Sequence, residues 1–123
     1  LQSALGYGPP QQESLALFAA DPEARGSVLA WSLVVLVLPA CEELLFRGAR
    51  YGGLRRLLQP AAAVGVSAGI FGLVHDPSVA LPAAALGVAL CLLYERTGSL
   101  LAPLLFHALH NGLTLAMVTL ATP

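Results

Sequence analysis

The chain has 123 residues, 57% of them hydrophobic and 11% charged, with a net charge of −1. An average soluble domain is about 45–50% apolar and about 25% charged, so this composition, with a mean hydropathy of +0.76, points to a membrane protein and away from an ordinary soluble fold. Near-neutral charge argues against nucleic-acid binding, and Cys41 and Cys91, both in apolar runs, make neither a disulfide framework nor a zinc-site spacing.

Residues 1–26 are mixed in character and broken by Pro9, Pro10 and Pro22. They read as a peripheral N-terminal segment, with Ser14–Phe18 as a short docking turn. From Ser27, a candidate N-cap, the chain becomes a core domain, residues 27–121, made of four apolar runs. The first is SVLAWSLVVLVLPACEELLF, and the others occupy residues 60–75, 79–94 and 100–121. A spanning helix needs about 20 mostly apolar residues, so the second and third runs reach that length only if flanking residues join them. None alternates as a strand would, and lipid leaves helices or closed barrels as the spanning options. The expectation is all-α: a polytopic transmembrane bundle of about four helices. Gly65 and Gly69, four apart, supply a small face for close helix packing. Arg50, Arg55, Arg56 and Arg96 fall towards one side, which the positive-inside rule makes cytoplasmic.

Seven polar residues in or beside these runs are the candidates for burial: Glu42, Glu43, Arg47, His75, His107, His110 and Asn111. Ionisable groups are costly inside a membrane and mark functional sites there. Glu43 and Arg47 are four apart and share a helix face, which makes them an ion pair. Glu42 points about 100° away around the helix and is left free to face a cavity. His107 and Asn111 also share a face, with His110 beside it, and Phe71 stands four before His75 as a packing residue. Glu42 and His75 lie equally far from a midpoint at Leu58–Gln59. A hairpin turning there puts them at similar depth, provided the first helix runs on through the arginines with a kink at Gly52–Gly53. His107 fits this depth less well, only nine residues past the turn at Gly98.

A carboxylate beside a histidine takes a proton from water and delivers it to a leaving amine. A histidine with an asparagine amide donates hydrogen bonds to an oxyanion. This set suits peptide hydrolysis. A second chemistry uses Glu42, His75 and His107 as zinc ligands with a position open for water, although the short H-E-x-x-H signature is absent. A third is an ion pathway, disfavoured because the polar residues form a cluster and not a trail.

The pattern Glu42-Glu43-x-x-x-Arg47, Phe71-x-x-x-His75 and His107-x-x-x-Asn111 resembles the three motifs of the CAAX-protease and bacteriocin-processing (CPBP) family of intramembrane proteases, across roughly residues 31–119. The stretch GSLLAPLLFHALHN also resembles that family around its third motif. The resemblance implies an intramembrane endopeptidase, in which Glu42 and His75 activate water, His107 and Asn111 stabilise the oxyanion, and Glu43 and Arg47 support the site. Family members are often called metalloproteases, and a metal-free glutamate mechanism is also proposed for them. Partners implied are membrane lipid and a peptide or protein substrate, lipidated in the eukaryotic members, which cleave prenylated CAAX termini. Some bacterial members act in bacteriocin maturation or self-immunity. A non-enzymatic immunity or scaffold protein of the same fold is therefore the alternative function. The lysine-free, alanine- and arginine-rich composition suggests a bacterial cytoplasmic membrane. Family members usually carry more helices, and the pattern does not demand His110, which is read as peripheral.

Overall fold

The computed structural model describes residues 18 and 20–121. The Ser14–Phe18 stretch otherwise lies outside them. Helix α1, Pro22–Gly26, is a single turn capped by the Asp21 side chain, which accepts from the Glu23 amide. Ser27 then caps the long helix α2, Val28–Leu57, its hydroxyl accepting from the Ala30 amide at 3.2 Å. Helices α3, Pro60–Leu73, α4, Ala80–Thr97, and α5, Leu101–Ala121, complete the chain. The architecture is all-helical, as composition and run length required. The four core helices follow the four apolar runs, and α1 belongs to the mixed segment before them.

Helix α2 runs through the arginines without breaking at Gly52–Gly53, which are α-helical. Its irregularities lie elsewhere. The hydrogen bonding widens to the i→i+5 pattern at Leu33–Val37 and again at Leu44–Tyr51, on either side of Glu42 and Glu43. The turn to α3 is at Leu58–Gln59, where Pro60 opens the next helix. Gly98, with φ of 62°, ends α4 in the left-handed conformation that costs glycine nothing.

Helices α2, α4 and α5 are long and apolar enough to cross a bilayer, and α3, at 14 residues, is shorter. The third run gained length from its flank, reaching Thr97. The second did not, because its helix stops at Leu73 and leaves His75 in the connection to α4. Side chains such as Leu29, Leu81 and Leu120 are exposed on the outer faces, the pattern of an integral membrane protein whose apolar surface meets lipid.

The α3–α4 hairpin packs most closely, but not through Gly65 and Gly69, neither of which has a neighbour within 4 Å of an added Cβ. The close approach uses the stripe one residue back, Ala68 and Gly72, against Gly87, Ala84 and the Ala80 carbonyl. A Cβ on Gly72 would lie 2.5 Å from the Ala80 oxygen and 2.8 Å from the Ala84 Cβ. Gly72→Ala is therefore expected to lower stability by about 1–3 kcal/mol. Gly69→Ala is expected to raise it by up to about 1 kcal/mol through helix propensity. Unfolding of the detergent-solubilised variants measures both.

The arginine-rich ends of α2 and α4 are tied together. Glu95 accepts from Tyr51 Oη at 2.7 Å and from Arg55 Nε, so Arg55, Arg56 and Arg96 gather at one end of the bundle.

Candidate active site

Glu43 is the buried anchor. Its Oε1 accepts from Arg47 Nη1 at 2.9 Å, the pair expected from their spacing on one helical face. The same oxygen lies 2.8 Å from His107 Nδ1, a contact that spacing within one helix could not reveal. A carboxylate oxygen only accepts, so His107 Nδ1 carries hydrogen and Nε2 faces the other way. Nε2 stands 3.4 Å from Glu42 Oε2. The imidazole thus sits between two carboxylates, one buried and charge-paired, the other 34% exposed on its side chain.

Arg47 is fully buried. Nη2 donates to the Gly87 carbonyl at 3.3 Å, and its guanidinium lies 4.6 Å from the Phe71 ring centroid. Burying a cation at such depth is costly without partners; α4 supplies one through the Gly87 carbonyl, while Arg47 Nε is left without a hydrogen-bond partner. Phe71 is the packing hub: Phe46, His75 and His107 all meet its ring, at centroid distances of 4.9, 4.6 and 5.9 Å. Its role is packing, in accord with the sequence reading.

His75 lies just beyond α3, yet the four-residue link to Phe71 survives as a hydrogen bond. Its Nδ1 donates to the Phe71 carbonyl at 2.6 Å, which leaves the Nε2 lone pair of the neutral ring available. On α5, Asn111 Nδ2 donates to the Val34 carbonyl of α2 at 3.2 Å.

Glu42, His75, His107 and Asn111 all line one cavity of about 360 Å³ between α2, α4 and α5. Its remaining wall is largely apolar, with Val34, Leu38, Pro82 and Leu86 among the lining residues. His110 and Thr114 line it too, so His110 is not peripheral. With residues 107, 111 and 114 it completes a stripe at three- and four-residue steps along α5. The depth mismatch foreseen for His107 disappears, since its Nε2 reaches to 3.4 Å from Glu42 Oε2. A Cβ on Gly48 would lie 3.6 Å from Leu100 Cδ1, so the start of α5 is level with Gly48. Glu42 and His107 are then about 9 and 10 Å away along antiparallel helices.

The zinc reading finds less support. Among the described residues, no three His, Cys, Asp or Glu side chains gather as an ion-binding group. Both histidines commit Nδ1 to protein acceptors, as metal-bound histidines also do, and the His107 Nε2–Glu42 contact is an ion-pair distance.

These features define a bundle of candidate membrane-spanning helices with a buried Glu–Arg–His cluster whose histidine lines a cavity. The chain belongs to the type II CAAX prenyl endopeptidase Rce1-like family, whose pattern it matches over residues 24–113. No curated protein and no solved structure matched it. The family is one of proteases, and the buried Glu43–His107 pair is consistent with its motif.

Proposed function

We propose that the protein is an intramembrane endopeptidase that hydrolyses a peptide bond near or within the membrane. One observation carries this reading: Glu42, His75, His107 and Asn111, drawn from three separate segments, converge on a single cavity. Glu42, partly open to that cavity, takes the proton from a water held between it and His75 Nε2, and passes it to the leaving amine. The scissile carbonyl points to α5, where His107 Nε2–H and the second Asn111 amide hydrogen receive the developing oxyanion. Donation from Nε2 requires the doubly protonated ring, because Nδ1–H is already given to Glu43. Glu43 and Arg47 act through His107, fixing its orientation. The apolar wall suits an aliphatic or lipidated substrate arriving from the bilayer, and the arginine-rich end faces the cytoplasm.

The test is cleavage of a membrane-tethered peptide, prenylated and unprenylated, by the purified protein in liposomes. Activity lost in Glu42→Ala and His75→Ala, with insertion intact, supports the reading. Undiminished turnover by both variants would sink it in favour of a scaffold role. Cleavage is also expected to survive chelation. Loss on chelation that zinc restores would replace direct water activation by a metal-assisted mechanism.

A further inference from the structure

Pro39 lies inside α2, three residues before Glu42, and its side chain is fully buried. A proline within a helix has no N–H and ordinarily destabilises it. Here the loss falls on a particular carbonyl. The α-helical partner of the Val34 oxygen would be the Leu38 amide, but in the widened segment that amide donates to Leu33. The i→i+5 partner would be residue 39, and it is proline. Two successive residues therefore fail to serve Val34. In an apolar segment without water an orphaned carbonyl is costly, and it is met from another helix, by Asn111 Nδ2 at 3.2 Å. The helices meet closely at this turn: a Cβ on Gly112, next to Asn111, would lie 3.6 Å from Val35 Cγ1.

We propose that Pro39 is a positioning residue for the site: by withholding its N–H it frees the Val34 carbonyl to clamp the Asn111 amide. The amide is planar, so fixing one Nδ2 hydrogen on Val34 fixes the direction of the other and of Oδ1. Without the clamp the amide turns about its side-chain torsions and the second hydrogen loses its aim into the cavity. The catalytic consequence rests on the hydrolytic reading above; the clamp itself does not.

The chain has a single asparagine, Asn111, so 15N-asparagine labelling gives one side-chain amide signal in a detergent or nanodisc sample. The wild type is expected to show one amide proton hydrogen-bonded and protected from exchange. Pro39→Val keeps an apolar side chain of similar size and restores an N–H that reaches Val34. In that variant the protection is expected to be lost, with a thermal midpoint equal to or above wild type. Cleavage is expected to show kcat lowered about 10-fold or more with KM changed less than about threefold. In an Asn111→Ala background the same substitution is expected to lower kcat no further, which a purely structural effect would not reproduce. Pro39→Ala provides the same comparison where valine overpacks the site. An unchanged Asn111 signal in both variants overturns the proposal, as does an equal loss of kcat in the Asn111→Ala background. If the wild-type protein cleaves no membrane-tethered peptide, the hydrolytic reading falls and the amide signal still decides the clamp.

Discussion

Replacing Glu42 by glutamine is expected to lower kcat by about 10²–10⁴-fold, with little change in the unfolding midpoint. The second half of that expectation comes from its surroundings. The Glu42 side chain is 34% exposed, and its nearest charged neighbour, His107 Nε2, is 3.4 Å away. Glutamine keeps the shape and loses only the capacity to accept a proton from water. Single-turnover cleavage of a tethered peptide, measured with a melting curve on the same sample, separates the two effects. A large drop in the midpoint would show that Glu42 is part of the scaffold.

Arg47→Ala is expected to do the reverse, destabilising the fold by about 3–5 kcal/mol. It leaves the Glu43 carboxylate, 1% exposed, without its charge partner, and removes the plate that stacks on Phe71. The pair variant Glu43→Leu with Arg47→Met removes both charges at similar volume and is expected to recover most of the lost stability, because apolar replacements of buried pairs are often neutral or better. Cleavage is expected to stay low in the pair variant, since His107 Nδ1 has then lost its acceptor. Stability recovered without activity identifies the pair as a device for aiming His107. Activity recovered together with stability would reduce it to a structural tie.

The helical runs, the turn at Leu58–Gln59 and the Glu43–Arg47 pair were legible because each depends on local spacing or on composition. The free position of Glu42 followed from the helical angle between neighbours. The rest depended on contacts between helices. Two small-residue stripes on α3, offset by one position, look alike in sequence, and only the partner helix selects Ala68 and Gly72 over Gly65 and Gly69. The Glu43–His107 bond joins residues 64 apart. No local spacing pointed to it, because the two residues lie on different helices. His75 leaves the helix because α3 stops at Leu73, which apolar content alone did not mark. Pro39, in plain view within the first run, was the local irregularity whose meaning needed the facing Asn111.

The shortness of α3 bears on how the protein sits in its solvent. Fourteen residues rise about 21 Å, against a hydrocarbon core of about 30 Å. The connection carrying His75 and Asp76 is polar, and it is held about 9 Å short of where a full span would end. Such a mismatch is relieved by thinning of the surrounding lipid, which brings the headgroup layer down to His75. Water is then expected to reach the cavity through a dimple in the leaflet, and turnover to depend on acyl-chain length, falling in bilayers of thicker lipids.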